Sequence, residues 1–99
     1  MKSRDEKKKI NEFGPLKEFE EIGALFNQGS IERLSRLEEL KPTKMHQALQ
    51  MGYNTYGDKM RNPERLTIEE VVKLARIVGT DYSKIMEVIF MEIKSKYKI

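Results

Sequence analysis

The chain has no cysteine and a single histidine, His46. No disulfide framework can form, and neither a Cys-His catalytic pair nor a multi-histidine metal site is possible. Glycine-rich phosphate loops are also missing. The carboxylates fall mostly on the polar sides of helical periods, where solvated helices carry them, so no acid–base pair stands out. The expectation is a protein that is not an enzyme, with no cofactor, no metal and no small-molecule substrate. Long apolar runs are absent too: the longest, residues 85–93, is interrupted by Glu87 and Glu92 and falls well short of the ~20 residues a membrane span needs. The first residues carry the positive charge of a signal peptide, but polar residues follow where its apolar part belongs, which predicts a cytoplasmic setting without a membrane partner. No internal repeat or low-complexity segment is found.

Ninety-nine residues suit one small domain. Few β-branched runs and 35% charged residues favour helices over sheet. The formal net charge is only +3, but it is unevenly placed. Residues 10–40 carry three Lys/Arg against seven Asp/Glu, whereas residues 41–66 carry five against two, a local net of +3. Residues 1–9 add +3 and residues 91–99 add +2, so both ends can reach for phosphates or simply remain solvated.

Residues 1–12 lack apolar periodicity and read as a flexible basic segment. A first helix is predicted over 13–29, with Pro15 in its opening turn, Leu16, Phe19, Ile22, Leu25 and Phe26 along one side, and Gly29 at its end. Ser30 is the expected N-cap of a second helix carrying Ile31, Leu34, Leu37 and Leu40, stopped near Lys41 by Pro42. Thr43 caps a third that ends near Gln50, with Met45, Ala48 and Leu49 inward. A turn around Gly52 leads to a fourth over 53–61, where Tyr53, Tyr56 and Met60 repeat the period and Asn62-Pro63 breaks it. Thr67 and Glu70 form a capping box for a fifth helix, closed by Gly79, and Asp81 starts the last, with Ile85, Met86, Ile89, Phe90 and Ile93 inward. Residues 94–99 read as a basic tail. The six methionines fall largely on apolar positions and are assigned to core packing.

The order LSRLEELKPTKMHQALQMGYNTYGDKMRNPERLTIEEVVKLARIVGTDYSKIMEVI resembles the phage-repressor (Cro/cI-like) helix-turn-helix domain, most specifically in NPERLTIEEVVKLARIVGTDYSKI. The resemblance covers about residues 30–89. It implies an all-α fold, a compact five-helix lambda-repressor-like bundle over 30–93 with an extra N-terminal helix. Residues 43–50 would be the supporting helix and 53–61 the recognition helix that enters the major groove. The usual small alanine of the supporting helix aligns with His46, read as a structural residue, and the usual turn glycine aligns with Gln50. A second register puts Ala48 and Gly52 at those positions, but it places Asp58 and Arg61 where buried apolar residues belong, so the first is adopted.

The implied function is sequence-specific recognition of double-stranded DNA by a repressor-like transcription regulator. Asn54 can pair with an adenine edge, Thr55 can touch a base or phosphate, and Lys59 or Arg61 can reach guanine or the backbone. Tyr53 bonds a phosphate or covers the turn, whereas Tyr56 reads as core. Asp58 accepts from cytosine or pairs with Arg61 at i, i+3. Lys41, Lys44 and Arg65 are phosphate contacts or an ordinary solvated face. A homodimer is expected through Leu16, Phe19, Ile22 and Phe26, a stripe that a five-helix bundle does not obviously need; the last helix, with Phe90 and Ile93, is the competing surface. The alternative class is a small interaction or assembly module that uses the same bundle without nucleic acid.

Overall fold

Local capping and turn chemistry set where each helix starts and stops. The computed structural model describes residues 15–98, so the basic segment 1–12 and the start of the predicted first helix lie outside the described residues. Five α-helices follow in order: α1 Glu20–Asn27, α2 Pro42–Ala48, α3 Tyr53–Arg61, α4 Ile68–Val78 and α5 Tyr82–Tyr97. Short 3₁₀ segments cover Lys17–Phe19, Leu34–Glu39 and Pro63–Arg65, and no strand occurs among the described residues. The fold is an all-α helical bundle.

Three helix ends share one device. Gly29, Gln50 and Gly79 adopt φ of 74°, 59° and 80°, and the amide one residue later donates back five residues: Ser30 to Leu25, Met51 to His46 and Thr80 to Ala75. This left-handed closure satisfies carbonyls that the last helical turn leaves open. At the other end of α4, Thr67 Oγ1 accepts from the Glu70 amide at 3.0 Å while Glu70 Oε1 accepts from the Thr67 amide at 2.9 Å, the reciprocal pair the sequence predicts. Asp81 caps α5 by accepting from the Ser83 amide.

Three boundaries differ from expectation, one of them at the predicted basic tail 94–99, where α5 continues to Tyr97. Ser30 caps nothing, because residues 30–33 carry no helix and 34–39 form 3₁₀ turns with hydrogen bonds from Arg36 to Arg33 and Leu40 to Leu37. In that tighter winding side chains at i and i+3 eclipse, which sends Leu34 and Leu37 into the core together. Glu92 of α5 then accepts the Leu34 amide at 3.0 Å, a cap from a distant element. Likewise Thr43 is not the N-cap of α2: Lys41, at φ 53°, precedes Pro42 in the first turn.

The core gathers residues from every helix. Phe19, Ile22 and Phe26 pack with Leu34, Leu37, Met45, Tyr56, Met60, Leu74, Ile77 and Ile85, and Leu16 lies half-buried against them with its amide bonded to the Ile77 carbonyl at 2.9 Å. The proposed dimer stripe Leu16, Phe19, Ile22, Phe26 is therefore corrected. Its apolar surface is already removed from water by the protein's own α4 and α5, so it is not available to a second copy. Gly23 explains how α1 comes so near: a Cβ there would overlap the Val78 carbonyl oxygen and sit 3.0 Å from its carbon.

Candidate nucleic-acid interface

The pair α2 and α3 is joined by four residues, Leu49 to Gly52, with the left-handed position at Gln50 and not at Gly52. Gln50 occupies the left-handed position where the resemblance places glycine, while Gly52 is extended at φ −66°, ψ 156° and serves as the N-cap of α3. Asp58 is half-buried and Arg61 exposed. His46 is held by the turn itself. Its Nδ1 lies 2.9 Å from the Met51 carbonyl, a bond the ring makes as donor, and its ring meets Tyr53 edge-on at 5.5 Å.

Tyr56 anchors α3 from beneath. It is fully buried, its hydroxyl lies 3.5 Å from the Leu37 carbonyl, and burial, helped by the charge of Glu38, pushes the phenol well above its usual value. This ring stays neutral and is part of the core. Above it, Tyr53, Asn54 and Thr55 form the exposed first turn of α3. Gly52 offers no side-chain cap, so the amides of that turn are left to solvent or ligand.

Helical spacing sorts the remaining candidates. Asn54, Asp58 and Arg61, at i, i+4 and i+7, share a side, whereas Lys59 lies about 140° away from Asn54. Lys59 is drawn to Glu70, with Nζ at 2.8 and 2.6 Å from its two carboxylate oxygens and both side chains only 21% exposed. Burial works to raise the Glu70 carboxyl, but hydrogen bonds from Lys59 and Thr67 outweigh it and hold the group below the usual carboxylate range. Lys59 thus fastens α3 to the start of α4 and is set apart from the Asn54 turn.

The other candidate cations are also engaged, three by carboxylates and Lys41 by a backbone carbonyl. Arg61 Nη1 reaches Glu38 Oε1 at 2.6 Å, and Arg65 Nη1 reaches Asp58 Oδ2 at 2.6 Å. Asp58 therefore pairs with Arg65 and not with Arg61, as the i, i+3 reading had it. Lys44 lies 3.1 Å from Glu18, while Lys41 donates to the Glu18 carbonyl at 2.7 Å. Glu18 and Glu38, both from the acidic stretch 10–40, fold onto the basic stretch, so the local +3 read along the chain is offset in space. No local pattern could have nominated them, since each acts on residues 23 to 26 positions away, as Arg61–Glu38 at a separation of 23 shows.

Glu38, Pro42, Tyr53, Asn54, Tyr56, Gly57 and Arg61 line a small pocket of about 110 Å³ beside the exposed turn. A larger open groove, about 1170 Å³, runs between α5 and the segment 31–39 and does not include Asn54 or Thr55. Among the described residues no group of three or more His, Cys, Asp or Glu is arranged to hold a metal ion, and no helix is long and apolar enough to cross a membrane. Comparison with protein-family models, curated proteins and solved structures finds no match to the chain.

Proposed function

We propose that the chain binds double-stranded DNA sequence-specifically, as a cytoplasmic transcription regulator of helix-turn-helix type. The observation that carries this reading is the closed turn between α2 and α3, left-handed at Gln50 and tied by His46, with Tyr53, Asn54 and Thr55 uncovered at the head of α3. In such a motif the first turn of the second helix meets base edges. Asn54 supplies the donor and acceptor for adenine, Thr55 and Tyr53 supply hydroxyls for base or phosphate, and Lys44, Arg61 and Arg65, by exchanging their carboxylate partners, and Lys41, by leaving the Glu18 carbonyl, supply phosphate contacts. These ion pairs are mostly exposed, worth about 1 kcal/mol or less, so exchange is feasible.

Two copies would serve a palindromic site, and α5 offers the surface. Tyr82, Phe90 and Tyr97 are more than half exposed, and with half-buried Met86 and Ile93 they follow one side of the helix. Sedimentation equilibrium of the chain against a variant with Phe90 and Tyr97 made polar tests the dimer; a monomeric parent rejects it.

The function itself is tested by selection from pooled random duplexes at two salt concentrations. Enrichment of a defined site, with affinity falling as salt rises, is the expected outcome. The pairing of Lys44, Lys59, Arg61 and Arg65 with acids favours the second reading, a bundle that binds protein and not DNA; failure to enrich any duplex at low salt would make that the better account.

A further inference from the structure

The sequence points to cations as the residues that decide how strongly DNA is held, but the structure puts a carboxylate among them. Glu38 comes from the 3₁₀ segment Leu34–Glu39, which packs along α3, and its Oε1 sits 2.6 Å from Arg61 Nη1. The ion pair lies directly over Gly57. A Cβ at that position would come within 3.2 Å of both Arg61 Nη1 and Glu38 Oε1, and these side-chain ends are its nearest neighbours. Gly57 is thus the bare patch of helix on which the pair rests. Arg61 shares a side of α3 with Asn54, and both it and Glu38 line the small pocket next to the exposed turn.

We propose that Glu38 sets the strength of the duplex contact by holding Arg61 across Gly57 in competition with phosphate. The inference rests on the DNA-binding reading above and names a residue outside the helix-turn-helix itself. Before Arg61 can neutralise a phosphate, its bond to Glu38 must be exchanged, and Glu38 then remains as an unpaired negative charge near the backbone. Both effects oppose binding. An exposed pair of this kind is weak, so the result is attenuation and not a block.

The experiment measures affinity for an enriched duplex, as a function of salt, for the full chain and for E38Q, R61Q, the double variant E38Q/R61Q and E39Q. Glu39 is exposed and adjacent in the chain, so E39Q reports what removing any nearby charge does. E38Q is expected to tighten binding about two- to fivefold, the range an exposed ion pair commands, and to steepen the salt dependence by about 0.9 log units per log unit. In the R61Q background the same substitution should change affinity no more than E39Q does. A gain from E38Q that persists without Arg61, or that matches E39Q, overturns the proposal by reducing Glu38 to bulk charge. Gly57→Ala gives a second route: alanine suits a helix, and its methyl crowds both partners of the pair, so it should shift affinity in the same direction as E38Q. Opposite signs for the two variants also overturn it. Melting curves verify that each variant folds. If the unaltered chain binds duplex and E38Q does not differ from it, only the role of Glu38 is lost; if neither the chain nor any variant binds duplex, the DNA reading falls and takes this one with it.

Discussion

Replacing Gly23 by alanine should destabilise the protein strongly, although alanine is the better helix former. The gain in intrinsic propensity is about 1 kcal/mol. Against it stands a methyl that would overlap the carbonyl oxygen of Val78 and reach 3.0 Å from its carbon and 3.6 Å from the carbonyl carbon of Gly79. Those atoms are backbone, held by the end of α4, so no rotamer change relieves the overlap. The two helices must separate, and that opens gaps around Ile22, Phe26, Leu74 and Val78, all buried where they stand. Overpacking of this kind costs about 1–3 kcal/mol, and a backbone clash belongs at the upper end. The net loss is therefore about 2 kcal/mol, which for a domain of this size lowers Tm by roughly 8–16 °C. Thermal unfolding followed by far-ultraviolet circular dichroism reads it directly. Gly29→Ala is the companion: nothing lies within 4 Å of a Cβ there, but φ is 74°, so its cost is conformational, about 1–2 kcal/mol. A Gly23→Ala protein that melts at or above the parent temperature would refute the close packing of α1 on α4.

Gln50→Gly should raise stability by about 1 kcal/mol in urea, because Gln50 holds φ 59° in the turn before α3 and glycine does so without steric cost; no gain would mean the turn is not left-handed in solution. Glu70→Gln should cost about 1 kcal/mol at neutral pH, by weakening both the side-chain half of the capping box and the bond to Lys59, and less in acid. The sign follows from the lowered Glu70 carboxyl: its contribution is complete above the unfolded value of about 4.3 and is lost as pH falls through the folded one, so equal urea differences at neutral and acid pH would contradict it. Asn54→Ala should cost about 1–3 kcal/mol on the preferred duplex and relax one base position, whereas Lys44→Ala should weaken all duplexes alike and reduce the salt slope by about one. Equal losses on preferred and random DNA would remove Asn54 from base reading.

How far the sequence could be read depended on the distance over which each feature acts. Thr67 with Glu70, Gly79 and Asp81 are local: the capping oxygen, the left-handed glycine and the amides they serve lie within a few residues, so they are visible as spacing. Tyr56 fell on the inward side of α3 by period alone, whereas the residues placed the turn around Gly52 and the left-handed position is two residues earlier, at Gln50. Asn54 and Thr55 were legible as exposed positions of the first turn after a break, but the period placed Tyr53 inward with Tyr56 and Met60, and it is exposed. The winding of residues 34–39 was not legible. Leucines at i and i+3 suit an α-helix and a 3₁₀ segment equally, and the choice goes with core packing and the Glu92 cap, 58 residues away from Leu34.

The sequence by itself determined an all-α fold, several helix ends and much of the apolar side of the helices, because these follow from backbone sterics and short-range hydrogen bonds; Phe90 and Tyr53, placed inward by period, are exposed. Only the tertiary structure decided what those sides face and which charges meet. The stripe Phe19, Ile22, Phe26 became core once Gly23 let α1 settle on α4, and the cations around α3 acquired Glu18, Glu38 and Glu70 once three separate elements converged. Burial and ion pairing depend on distances of a few ångströms between segments far apart in the chain, and no local pattern encodes those distances.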